Sequence, residues 1–473
     1  MIFNSFEFLV FFPVVTLIYF LLPHQYRWLH LLIASCVFYM FFIPIYILIL
    51  GFTIVVDYFA GIAIEQAEGR KRKMYLILSL IANIGVLAVF KYYNFFIGNI
   101  NTAVGASLPL LQIILPIGLS FHTFQAMSYT IEVYRGKQKA ERHFGIYALY
   151  VMFYPQLVAG PIERPQNILH QFYEKHYFDI HRVMEGLKIM LWGLFKKVVI
   201  ADRLALYVDQ VYNNPQNYQG FELIVATVFF AIQIYCDFSG YSDMAIGAAK
   251  VMGFKLMTNF RKPYFSTSVS EFWSRWHISL STWFRDYVYI PLGGNRVVKS
   301  RLFFNLFITF LISGIWHGAN WTFVVWGALN GIYLIFEVMF PKGLTRAFSF
   351  LGLGKADLLK EAVQRTWMLS LICFSWIFFR AADLSQAGYI IENSVKNLSG
   401  TLYIFQEKLA YFILIAGFFL IEYIQKNYTY SPYLQPATSS YRKAWNIALF
   451  SGFVWLIIVF GEYGSKEFIY FQF

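Results

Sequence analysis

The residue whose type and surroundings best suit chemistry is His317, in the segment 311–321 (LISGIWHGANW). No charged residue separates Arg301 from Glu337. An imidazole with an ordinary pKa of about 6.5 can take a proton from a hydroxyl and return it to a leaving group. Ionisable groups inside an apolar run are expensive and therefore mark functional candidates. Gly314, Gly318 and Asn320 flank this histidine, and small residues there would let a substrate approach and free backbone groups to bind it. A buried histidine bonded to a neighbouring helix is the competing reading. A second histidine, His277, lies within 268–296 among tryptophans; a second catalytic group and a structural ring are equally open. Asp237 and Asp243 interrupt the apolar run 235–243 (YCDFSGYSD). They either line a polar tunnel or accept hydrogen bonds from backbone freed around Gly240. The last six residues, Phe468–Phe473, are mostly aromatic, unlike an ordinary polar, frayed terminus. Insertion into the protein and anchoring at the membrane interface both account for that.

These groups need a scaffold, and the composition says which. The chain has 473 residues, 58% hydrophobic, 21% aromatic and only 14% charged, with a mean hydropathy of +0.53. Soluble domains carry about 25% charged residues. A disordered chain, a disulfide scaffold and an ordinary cytosolic enzyme are excluded, and an all-α polytopic membrane protein is expected. Apolar runs fall near 3–22, 28–50, 51–64, 75–97, 109–131, 145–160, 187–208, 221–249, 302–318, 320–340, 366–380, 409–425 and 444–463. Several are shorter than the roughly 20 residues of a straight crossing, so ten to thirteen transmembrane or re-entrant helices are expected. The first run lacks a basic flank and a cleavage site, and reads as a retained helix. The loops 65–73 and 135–143 are basic, whereas 98–107 is uncharged; the former are assigned to the cytoplasm and the latter to the opposite face. Arg442 and Lys443 precede the last span, which directs the tail after Tyr463 outward.

Ser268 and Glu271 have capping-box spacing, and aromatics from Phe272 to Tyr287 recur at helical intervals. An amphipathic interfacial helix is expected from there to Pro291, with Arg275, Ser279, Thr282 and Asp286 on its polar side. Between Arg261 and Arg301 there are seven basic and two acidic residues. That balance suits either a cytoplasmic mouth for a phosphorylated donor or contact with lipid headgroups. The net charge of +12 is accounted for by such loops, not by nucleic acid. Cys36, Cys236 and Cys373 sit in apolar stretches with no metal-like spacing and read as core residues. No metal-binding pattern such as HExxH occurs among the nine histidines. No linker divides the chain, giving one transmembrane domain, 1–463, with 261–301 as its cytoplasmic-side re-entrant segment and 464–473 as an extracytoplasmic tail.

The segments AGPIERP (159–165), PIGLSFHTFQ (116–125), YCDFSGYSDMAIG (235–247), RWHISLSTWFRDYVYIPLGGNR (275–296) and SGIWHGANW (313–321) together resemble the membrane-bound O-acyltransferases (MBOAT family) of bacterial cell envelopes. The similarity is to alginate and peptidoglycan O-acetylation membrane subunits and to teichoic-acid D-alanylation subunits, over essentially the whole chain. It implies helices around a central tunnel, a catalytic role for His317 with His277 as the second histidine, and location in the bacterial inner membrane. The terminal FxYxxF pattern resembles a motif of these systems whose tyrosine is proposed to carry the acyl group, which here is Tyr470.

The chemistry is reasonable by itself. A phenol, with a pKa of about 10, needs less help to attack a thioester than an aliphatic hydroxyl, and its ester stays activated for a second transfer. The expectation is therefore an O-acetyltransferase in which acetyl-CoA is a substrate and no cofactor is bound. Tyr470 would pass the group to an extracytoplasmic acetyltransferase of the SGNH type or directly to a polysaccharide. Arg285, Asp286, Asn295, Arg296, Asp237 and Asn320 are the expected donor-binding or tunnel-lining residues. D-alanyl transfer from a carrier protein to teichoic acid, and a translocator without a covalent step, are the alternatives.

Overall fold

The computed structural model describes residues 1–158, 160–341, 357–396, 401–424, 440–464 and 468–471. Among them every regular element is a helix, and each expected apolar run falls on one to three of them. The helices at 44–66, 69–104, 221–252, 321–339 and 357–380 are long and apolar enough to cross a bilayer unaided. Shorter apolar helices include Phe6–Leu21 and Leu409–Ile424. Helices Leu384–Ser394 and Thr401–Glu407 were not foreseen. The three cysteines are free thiols.

Several boundaries differ from the hydropathy reading, each for a local reason. The run 28–50 breaks after Met40, because Pro44 opens a short 3-10 turn before Ile47–Gln66 begins. The run 75–97 belongs to a continuous helical stretch, Gly69–Val104, with a π-helical turn at Ala88–Tyr92. The run 109–131 becomes helical only at Leu119, since its first part carries Pro109 and Pro116 and proline cannot propagate a helix. Its non-helical backbone is held in part by side chains: Tyr46 and Tyr93 donate to the Ile114 and Pro109 carbonyls, and two asparagines each bond one residue on both sides. Asn101 exchanges both hydrogen bonds with the Leu108 backbone, at 2.8 and 2.9 Å, and Asn94 does so with Leu111, at 2.8 Å each. Such pairing is what irregular backbone at membrane depth requires.

The longest uninterrupted α-helix among the described residues, Phe221–Met252, packs antiparallel against Ile180–Phe195. Gly186 faces Gly247, and Gly193 faces Gly240 so closely that a methyl on Gly193 would lie 2.5 Å from the Gly240 carbonyl oxygen. Helices Lys299–His317 and Trp321–Met339 form a hairpin closed by the same device. A Cβ on Gly314 would be 2.3 Å from the Phe323 carbonyl oxygen. Gly314 and Gly318 thus serve helix packing, not the substrate approach expected of them.

The amphipathic helix expected from Ser268 to Pro291 is divided. It forms Val269–Arg275, Ile278–Phe284 and a π-helical turn Arg285–Tyr289. The Ser268 hydroxyl caps its start by accepting the Glu271 N–H. The Glu271 carboxylate takes the Thr267 N–H at 2.7 Å, while Glu337 takes those of Val269 and Ser270. The division falls at His277, whose φ of +42° is left-handed, a conformation that costs a non-glycine residue energy. Backbone from Asn259 to Arg261 passes through the gap. Arg261 N–H donates to the Arg275 carbonyl and Ile278 N–H to the Asn259 carbonyl, both at 2.9 Å.

Candidate active site

His317 is the last residue of its helix and 5% exposed. Its ring packs among Trp316, Trp326, Phe379 and Tyr470, with centroids 4.9, 4.9, 5.2 and 5.7 Å away. Two cavities meet at this side chain. One, of about 250 Å³, is lined by His277, His317, Ser281, Thr309, Tyr289 and Arg285 among others. The Arg285 side chain is 59% exposed and marks its mouth. The neighbouring Asp286 carbonyl accepts a hydrogen bond from Arg135 at 2.9 Å, so this mouth lies on the face that loop charge assigns to the cytoplasm. The other cavity, of about 40 Å³, is lined by His317, Tyr470, Lys91 and the segment 115–121. That segment continues from the uncharged loop on the opposite face.

His277 is held for use from the first cavity. Its Nδ1 lies 3.1 Å from the Asn259 side-chain oxygen, which also accepts the Ser279 N–H and hydroxyl. Asn259 Nδ2 is in turn fixed on Ser242 at 3.0 Å. An acceptor at Nδ1 makes that nitrogen the donor and leaves Nε2 as the basic site. Among the described residues nothing hydrogen-bonds to His277 Nε2.

The tail turns inward. Glu462 N–H donates to the Val198 carbonyl, and beyond Gly464 the chain is next described at Phe468–Phe471, inside the bundle. Phe468 is fully buried, and its ring centroid lies 4.5 Å from that of Tyr241 and 5.4 Å from Phe238. Ile469 N–H donates to the Asp237 carboxylate at 2.7 Å. Tyr470 consequently lies 6.4 Å from His277 and 4.6 Å from Phe238 by ring centroids, besides facing His317. The terminal phenylalanine of the FxYxxF pattern, Phe473, is outside the described residues, as are the side chains of Arg442 and Lys443.

The remaining expected site residues separate clearly. Asp237 lines neither cavity; it pairs with Lys197 at 2.7 Å while anchoring the tail. Asp243 pairs with Lys196 at 2.8 Å. Lys197 also meets Asp202 at 2.8 Å. These carboxylates pair with lysines that follow the packed helix and not with backbone around Gly240, and Asp237 links that network to the tail. Asp286 binds Arg285 at 2.8 Å and lies 3.8 Å from Arg164 at the mouth. Asn295 and Arg296 are exposed on the turn beyond Gly294 and off the cavity lining. Asn320 caps the second hairpin helix, accepting the Thr322 N–H at 3.1 Å and donating to the Ala382 carbonyl at 2.7 Å, and it lines neither of the two cavities. Sequence reasoning missed Asn259, Lys91 and the Lys196–Lys197 pair. The last three are cations within apolar runs, the signal that singled out the aspartates.

The family model for membrane-bound O-acyltransferases matches residues 142–379, which include both histidines. A probable alginate O-acetylase of Pseudomonas aeruginosa is 40% identical over 401 residues, covering 83% of this chain and 74% of its own. The chain belongs to the membrane-bound O-acyltransferase family. It is thus a multi-pass membrane protein and an acyltransferase. A peptidoglycan O-acetyltransferase of Helicobacter pylori is 36% identical over 394 residues, covering 78% of this chain and 73% of its own. A teichoic acid D-alanyltransferase of Streptococcus thermophilus is 31% identical over 232 residues, covering 46% of this chain and 56% of its own.

Proposed function

We propose that the chain takes an acetyl group from cytosolic acetyl-CoA onto Tyr470 and delivers it outside for O-acetylation of a cell-envelope or exopolysaccharide. The observation that carries this reading is the tail, which turns into the bundle and sets Tyr470 against His317 where the two cavities meet. In the first step the Tyr470 oxygen attacks the thioester carbonyl. His317 takes the phenol proton and returns it to the departing sulfur, so an aryl ester and free thiol result. His277, oriented by Asn259, is the second histidine on the donor side. Arg285 gives the donor mouth a cation for the phosphates of CoA. The ester then passes its acetyl group to an acceptor hydroxyl, directly or through an extracytoplasmic acetyltransferase of the SGNH type, and the phenol regains a proton. The inner membrane of a bacterium is the setting this transfer requires.

Acetyl is favoured over D-alanine because the O-acetylating relatives align over most of this chain and the D-alanyltransferase over less than half. The test is the mass of the C-terminal peptide after acetyl-CoA is added without acceptor. An increase of about 42 Da on Tyr470 is expected, absent in Tyr470→Phe and in His317→Ala. An unmodified peptide in active enzyme would remove the covalent step and favour a conduit.

A further inference from the structure

A helix leaves its last carbonyl oxygens without partners, and no bulk water at membrane depth can supply them. The helix carrying His317 ends with Trp316 and His317 each 5% exposed, so water is largely excluded there too. The carbonyls of Ile315, Trp316 and His317 are nevertheless all occupied, by two consecutive residues of another helix. Lys91 Nζ donates to the Trp316 and His317 oxygens, at 2.8 Å each. The Tyr92 hydroxyl donates to the Ile315 oxygen at 2.7 Å. Both residues belong to the π-helical turn Ala88–Tyr92, the type of local distortion that often marks functional positions.

We infer that Lys91 is a positioning residue for His317, holding the end of its helix so that the imidazole faces Tyr470. The inference deepens the proposed function and rests on His317 being its base. Capping alone does not require a cation, and a cation in an apolar setting is costly. Among the described residues no charged partner compensates Lys91. Protonated, Lys91 complements the negative end of the helix dipole, its Nζ 5.9 Å from the Trp316 ring centroid. Lys91 also lines the small cavity shared by His317 and Tyr470, and not the larger one on the donor side. Its influence should therefore fall on transfer and leave donor binding untouched.

The test compares Lys91→Met and Lys91→Arg in the full chain, with acetyl-CoA varied and free thiol release measured in the presence of acceptor. Lys91→Met should lower kcat about 30-fold or more, as small displacements of a reacting group do, and leave the KM for acetyl-CoA within about twofold of the parent. Lys91→Arg, which keeps charge and donors, should recover most of the loss. Unchanged kcat in Lys91→Met, a change confined to KM, or a kcat loss that Lys91→Arg does not recover would each overturn the inference. Thermal unfolding in detergent checks that the variants fold. If Lys91→Met does not, Lys91→Gln is judged by the same kcat and KM criteria. Thiol release reports the overall reaction, so failure of the Tyr470 ester is detected separately, by its missing mass increment in the parent enzyme.

Discussion

Phe468 offers a way to perturb the tail without touching any group that moves a proton. Its side chain is fully buried, packed between Tyr241 and Phe238 and stacked on Tyr470 at 5.5 Å. If the tail leaves its groove for the aqueous face, that ring is exposed. Burying a phenylalanine stabilises by about 1.5–3 kcal/mol. Phe468→Ala should therefore shift the docking equilibrium by about 12- to 140-fold, at roughly 1.4 kcal/mol per factor of ten. The backbone bond from Ile469 to Asp237 is retained, so the tail remains able to dock. Two assays read the outcome: steady-state transfer, and protease cleavage of the tail from the extracytoplasmic side. Cleavage should speed up in Phe468→Ala and transfer should fall, whereas Tyr470→Phe should lose transfer with cleavage unchanged. Parental transfer and cleavage rates in Phe468→Ala would refute the claim that docking of this tail is needed.

Asn259→Ala removes the acceptor that orients His277, and kcat should fall about 10- to 100-fold, as with other residues that orient a reactive histidine. Lys197→Met leaves Asp202 and Asp237 buried without their shared cation. Breaking such a pair costs about 3–5 kcal/mol, visible as a lower Tm in detergent. Gly314→Val should prevent recovery of folded protein, because its Cβ would fall 2.3 Å from the Phe323 carbonyl oxygen. Gly388→Ala is the control, with open space around the added methyl; size-exclusion profiles and yield should match the parent.

The two helices around His317 were legible as the runs 302–318 and 320–340, which Gly318 and Asn320 divide within one long uncharged stretch. The division at His277 was not. Helical spacing of aromatics continues across it, and the segment that opens the gap, 259–261, is set by contacts remote from the capping signal. The non-helical stretch before Leu119 was hidden for a different reason: the high hydropathy of 109–131 masks Pro109 and Pro116, although prolines state the local preference more directly. The aromatic tail left insertion and interface anchoring open, and its groove was not legible, since Asp237 had to be understood as partner of Lys197 and anchor of Ile469 together. Lys91, Lys196 and Lys197 were overlooked because span assignment averages over single charges. A cation inside an apolar run carries the same information as an aspartate there.

The most direct trial of the relay is kinetic competence of the Tyr470 ester. Sealed vesicles that expose the cytoplasmic face are mixed with acetyl-CoA and quenched at intervals, and the C-terminal peptide is weighed before and after acceptor becomes available inside. The relay predicts that the ester forms and then discharges to acceptor at least as fast as overall turnover. An ester that never forms in turning-over enzyme, or one that discharges more slowly than product appears, contradicts it.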